Sequence, residues 1–137
     1  MRYVSTRGLA PEVSSTEALL NGIAPDGGLY VPAEMPSAAA IAGALGDAGN
    51  YAETMRGVLA LFFDDVPAEV RDAAVARSVA RFADPAAPVA LRAASDGDAR
   101  VHFLDLTRGP TGAFKDVALT LLPTLLQYAA EQAGLKK

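Results

Sequence analysis

The chain has 137 residues, with 12 Lys+Arg against 16 Asp+Glu, one histidine and no cysteine, which describes about one soluble globular domain. Without cysteine there is no disulfide framework or thiolate zinc site, and His102 has no second imidazole with which to share a metal. No Lys/Arg cluster beyond Lys136-Lys137 offers nucleic acid an electrostatic footprint. Apolar residues make up 51% of the chain and 29 of them are alanine, so the core is expected to be built from close-packed, Ala-rich helices. The N-terminus lacks an apolar signal region, and the weakly apolar stretch 38–45 is too short to span a bilayer. A cytoplasmic protein with no membrane partner is the expectation.

Residues 2–4 predict a short strand that ends in the polar turn Ser5-Thr6-Arg7-Gly8. Ser14 and Glu17 have the spacing of a capping box, so a helix should start there, with Leu19, Leu20 and Ile23 on one face and Gly22 as its C-cap. Ala24-Pro25-Asp26-Gly27-Gly28 is dense turn chemistry. The strand Leu29-Tyr30-Val31, closed by Pro32, should pair with the first strand as a short β-hairpin. Ser37 can cap a helix with Ile41 and Leu45 one turn apart, and Tyr51, Met55, Val58, Leu59 and Phe62 follow the spacing of an amphipathic helix. Pro67 suits the first position of the next helix, which carries Val75, Val79 and Phe82 on one face. Tyr51, Phe62, Val79 and Phe82 are expected to be buried. The run Asp84-Pro85-Ala86-Ala87-Pro88 breaks the pattern, and a boundary there divides a mainly helical domain, 1–87, from the beginning of an α/β domain, 88–137.

Beyond a turn at Ser95-Asp96-Gly97-Asp98, residues 100–106 predict a strand and 107–114 a loop with two glycines and a proline. A helix should then run from Asp116 to about Gly134, kinked where Pro123 removes a hydrogen bond and crowds the preceding turn. Its apolar residues cover much of its circumference, which implies burial on more than one side. Strand, loop and helix are the first parts of a βαβ unit, whose returning strand should follow at once. The chain stops there, so it reads as a piece of a longer protein. On that reading the face of Leu121, Leu122, Leu125 and Leu126 lacks its sheet, and self-association is expected.

The stretch Gly109-Pro110-Thr111-Gly112-Ala113-Phe114-Lys115-Asp116 presents a lysine at the mouth of that helix. Helix N-termini favour anions, and a field that disfavours an ammonium favours the neutral amine needed to attack a carbonyl. The alternative is a solvated lysine whose charge is offset by Asp116. Two readings also stand for Ser5-Thr6-Arg7, either a group facing a phosphate or carboxylate through the arginine fork or a strand-end turn with a solvated arginine. The loop amides at 111–114 either help bind an anion or simply form a tight turn. Asp26-Gly27-Gly28 reads as a structural turn and His102 as an ordinary strand residue.

The lysine motif resembles that of fold type II pyridoxal-phosphate (PLP) enzymes, most closely the threonine synthase family. In the same order as that family's N-terminal signature stand Tyr3-Val4-Ser5-Thr6-Arg7-Gly8, the helix with Glu17-Ala18-Leu19-Leu20, and Ala24-Pro25-Asp26-Gly27-Gly28-Leu29-Tyr30-Val31-Pro32. Thr107-Arg108 stands where many members carry Phe-His, and Gly112 where they carry leucine. The resemblance implies an α/β architecture, with the start of a fold type II PLP-binding domain after the helical one. It implies that Lys115 carries PLP on its amine and acts in catalysis, that Thr6 and Arg7 contact substrate, and that no metal takes part. The implied reaction converts O-phospho-L-homoserine and water into L-threonine and phosphate. Because the likeness reaches only the family's N-terminal portion, the phosphate cradle and the partner of the pyridine nitrogen are absent, and the chain alone should be inactive. Two rivals remain: another fold type II enzyme, a dehydratase or β-replacement enzyme, and a noncatalytic homologue serving as a binding module.

Overall fold

A computed structural model describes residues 1–46, 48–94 and 101–135. The turn expected at 95–98, the residue Arg100 and the pair Lys136-Lys137 lie outside the described residues. The chain opens with β1 (Arg2–Ser5), which becomes the centre of a three-stranded antiparallel sheet between β2 (Val13–Ser14) and β3 (Tyr30–Pro32). Tyr3 lies opposite Pro32, Val4 opposite Val31 and Ser5 opposite Tyr30, so the two expected strands do pair. The two-residue β2 has too little sequence to announce itself and exists only through its pairing with β1. Pro32 sits on an edge strand, where its missing N–H costs the sheet nothing.

Between β2 and β3 runs α1 (Ser15–Asn21). The Ser14 hydroxyl accepts from the Glu17 amide at 3.1 Å, and the Glu17 carboxylate accepts from the Ser14 amide at 2.8 Å, completing the expected capping box. That bond to the Ser14 amide is the main reason the Glu17 carboxyl sits below its ordinary pKa. A carboxyl lowered on folding adds stability above the ordinary glutamate range and loses it as pH falls through the lowered value. Ser14→Ala, which removes the hydroxyl but keeps the amide, is expected to cost about 1 kcal/mol, read as a lower urea midpoint, whereas Glu17→Ala, which removes the carboxylate, should lower the midpoint by an amount that shrinks in acid.

Three helices follow: α2 (Ala38–Leu45), capped by Ser37, α3 (Tyr51–Phe62), capped by Asn50, and α4 (Ala68–Val79). Pro67 stands at the N-cap of α4 rather than inside it. Phe82 is buried as expected, but Tyr51, Phe62 and Val79 are only half-buried. Fully buried positions include Val66, Ala74 and Val75 instead. Val66 precedes α4 in a turn whose backbone is held by Arg71, which donates to the carbonyls of Phe63 and Val66 at 2.9 Å each. Helical periodicity cannot mark a core residue that lies in a turn.

Downstream, β4 (Ala90–Ala93) pairs antiparallel with β5 (His102–Asp105), Leu91 opposite Leu104. The strand at 100–106 was expected and its partner was not, because 90–93 carries two alanines and an arginine instead of a run of β-formers. The single kinked helix expected from Asp116 is in fact two, α5 (Asp116–Leu119) and α6 (Leu122–Gln132). Pro123 is the cause. It has no N–H to offer the carbonyl of Leu119 and its ring crowds that carbonyl, so α6 starts afresh with proline in its first turn.

The expectation of uncovered leucines is overturned at two of the four positions. Leu121 and Leu125 are buried in one cluster with Leu59, Val66, Ala74 and Val75. Leu122 and Leu126 are half-buried and line a groove with Tyr3, Ala18, Leu29 and Phe63. The helical layer and the small sheet supply the cover that a parallel sheet was expected to supply. Among the described residues no helix is long and apolar enough to cross a membrane.

Candidate active site

The loop ahead of α5 folds on itself. Gly112, at φ +70°, donates to the carbonyl of Gly109 at 3.2 Å, and Asp116 donates through its amide to Ala113 at 3.0 Å. The carbonyl of Lys115 accepts from the amides of Ala118 and Leu119 at 3.0 and 2.8 Å, so Lys115 stands at the N-cap of α5. Its side chain is exposed and, among the described residues, forms no ion pair; Nζ lies 6.0 Å from the centre of the Phe114 ring.

Asp116 does not offset the lysine, as one reading of the sequence allowed. It is 3% exposed, and its carboxylate reaches back to accept from the Thr111 amide at 2.8 Å and the Thr111 hydroxyl at 2.7 Å. The Thr111 hydroxyl does most to hold the Asp116 carboxyl below its ordinary pKa, against the desolvation that raises it, and the amides of Thr111, Ala113 and Gly112 add to the lowering. The Thr111 amide is thus committed to the chain's own carboxylate and the Gly112 amide to the Gly109 carbonyl, the pattern of a tight turn. The helix field at Lys115 is weak as well, since α5 is a single turn. What distinguishes Lys115 is an exposed side chain on a braced loop.

Arg7 and Thr6 are placed elsewhere, at the end of β1. The Asp26 carboxylate accepts from the Ser5 hydroxyl at 2.7 Å, the Gly28 amide at 2.9 Å and the Leu9 amide at 3.0 Å, and the Ser5 hydroxyl is the main cause of its lowered pKa. Gly28 is required here, because a Cβ would stand 2.0 Å from Ser5 Oγ and 3.1 Å from the Arg7 nitrogen. Arg7 Nη1 donates to the carbonyl of Asp26 at 3.1 Å, and Thr6 Oγ1 accepts from the Leu29 amide at 3.0 Å. Asp26-Gly27-Gly28 is thus the structural turn expected. Among the described residues no hydrogen bond or ion pair joins this corner to the lysine loop. His102 is an exposed residue of β5.

Sequence reasoning missed Arg77 and Arg81, which line a cleft of about 630 Å³ together with Thr111, Asp116, Thr120 and Gln127. Their spacing of one helical turn at the end of α4 was the only available signal. It also missed Thr111 and Asp116 as a pair, whose spacing of five residues matches no helical or strand period.

These elements define a small helical unit with an antiparallel sheet, joined to a hairpin and a lysine-bearing loop. The family described as "Threonine synthase N terminus" matches residues 2–79. A threonine synthase of Methylobacillus glycogenes is 37% identical over 98% of this chain and 29% of its own length. The human protein named threonine synthase-like 2 is 34% identical over 96% of the chain and 27% of its own length. The PLP-bound threonine synthase of Brucella melitensis superposes with a TM-score of 0.84 at 39% identity, covering 98% of the chain and 28% of that structure. Yeast threonine synthase superposes at 0.81 with 29% identity, covering 96% of the chain and 27% of that structure. The chain belongs to the threonine synthase family, and spans less than a third of the length of these relatives.

Proposed function

We propose that residues 1–137 supply the N-terminal part of a PLP-dependent threonine synthase, which converts O-phospho-L-homoserine and water into L-threonine and phosphate. The observation that carries this reading is the exposed amine of Lys115, without an ion pair among the described residues, on a braced loop, in a chain similar to threonine synthases over nearly all its length. An exposed amine on a fixed backbone fits the covalent attachment of an aldehyde. When bound, PLP supplies an electron sink for negative charge developing beside the substrate amino group.

Lys115 Nζ then has two tasks, to hold the cofactor and to take and return protons at the α and β carbons of the substrate. Arg7 spends one donor on Asp26, which leaves the rest of its fork for a phosphate or carboxylate. Thr6 Oγ1 accepts from Leu29, which leaves its hydroxyl proton free to donate. In this reading 1–87 is the family's N-terminal domain, 88–137 begins the PLP-binding domain, and the enzyme works in the cytoplasm without a metal.

The test is phosphate release and threonine formation from O-phospho-L-homoserine by the full-length protein loaded with PLP. Phosphate and threonine in equal amounts are expected. A loaded protein that instead deaminates serine or threonine is another fold type II enzyme, and one that never takes up PLP is a binding module. The isolated 137-residue chain should neither bind PLP stoichiometrically nor turn over. Leu91 and Leu104, 67% and 58% exposed and paired across the hairpin, favour its self-association, which light scattering would register.

A further inference from the structure

The Asp116 carboxylate is an expensive group to bury beside a loop, since a desolvated charge is tolerated only where hydrogen bonds replace water. It does not cap its own helix, because it reaches backward across five residues to both donors of Thr111, and Lys115 next to it is not its partner. Gly109 is shaped around it: a Cβ there would lie 2.4 Å from Asp116 Cβ and 2.5 Å from Oδ2. The backbone of Asp116 is anchored as well. Its carbonyl accepts from the Thr120 hydroxyl at 2.6 Å, and Thr120 Oγ1 lies 2.6 Å from Ser78 Oγ of α4, with both side chains buried. One residue thus ties the front of the loop, through Thr111, to the helical layer behind it, through Thr120 and Ser78.

Resting on the reading of Lys115 as cofactor anchor, we propose that Asp116 is a positioning residue, which clasps the loop 109–115 against α4 through Thr111 and Thr120 and so fixes where the Lys115 amine is presented. Lys115 is the residue immediately before the clasp, so its Cα is set by the peptide that Asp116 anchors. With the clasp open, the amine would wander by the length of a loose seven-residue loop. A misplacement of about 1 Å at a reacting group can cost on the order of 10²-fold in rate.

The test uses the full-length protein, four variants of the clasp and Lys115→Ala as a control. Asp116→Asn removes the charge and one of the two acceptor oxygens that face Thr111, Thr111→Val keeps shape but removes the hydroxyl, Thr111→Ser restores it, and the fourth combines Asp116→Asn with Thr111→Val. For each, the stripped protein is mixed with PLP, the rate of borohydride-trapped adduct at Lys115 is measured by peptide mapping, and kcat, KM and the urea midpoint are recorded. Asp116→Asn and Thr111→Val are expected to lower the trapping rate and kcat by on the order of 10²-fold with little change in KM. Thr111→Ser should recover wild-type rates, and the double variant should be no worse than Asp116→Asn alone, since both break one unit. Lower urea midpoints with wild-type trapping and kcat would overturn the proposal, leaving Asp116 only a structural residue. If Asp116→Asn does not fold, equal trapping rates in Thr111→Val and Thr111→Ser overturn it too. An adduct that survives Lys115→Ala would instead overturn the cofactor reading on which the proposal rests.

Discussion

Replacing Lys115 with alanine in the full-length protein is expected to eliminate both the visible absorption of covalently held PLP and nearly all threonine formation. The loss should reach at least the roughly 10²–10⁴-fold that proton transfer alone contributes, because the same amine anchors the cofactor and moves the protons. The fold should be unaffected. Lys115 is exposed and forms no ion pair among the described residues, so the variant should unfold at the urea midpoint of the PLP-free wild type. That separation of activity from stability marks a residue kept for chemistry.

The second large effect lies in the core. Leu125 of α6 is 4% exposed and packs in one cluster with Leu59 of α3 and Ala74 and Val75 of α4. Leu125→Ala removes buried carbon and leaves a cavity that these flanking helices cannot close, an expected cost of about 2–5 kcal/mol. Against a typical domain stability of about 5–15 kcal/mol, that is a large share. Because α6 and the α3–α4 layer share this cluster, the loss should appear in one cooperative transition, whether followed by tyrosine fluorescence or by far-ultraviolet circular dichroism. A cost below about 1 kcal/mol, or separate transitions for the two probes, would show that α6 is not part of the same core.

Local rules made several parts of this molecule legible. Ser14 and Glu17 stand at a spacing that only a helix start rewards, and both bonds of the box are present. The face of Tyr51, Met55 and Leu59 gave α3, and a glycine-bearing loop ending in a lysine pointed to Lys115. Less legible were features decided by distant partners. The strand β4 exists because β5 lies beside it, Val66 is buried by helices that the sequence places on either side of a turn, and Leu121 and Leu125 meet α3 and α4 only in three dimensions. One miss was local: Pro123 announced a fresh helix start, and the apolar residues on both sides of it disguised the break. The clasp was hidden for another reason. In the sequence the nearest charge to Asp116 is its neighbour Lys115, whereas consecutive residues of a helical turn point about 100° apart, and its carboxylate meets Thr111 instead.

The most direct test of the account is to reduce the PLP-loaded full-length protein with borohydride, digest it and sequence the pyridoxyl-bearing peptide. A single labelled peptide with the modification on Lys115 is predicted, absent from Lys115→Ala. A stoichiometric label on any other lysine, or none on a protein that still forms threonine, would contradict it.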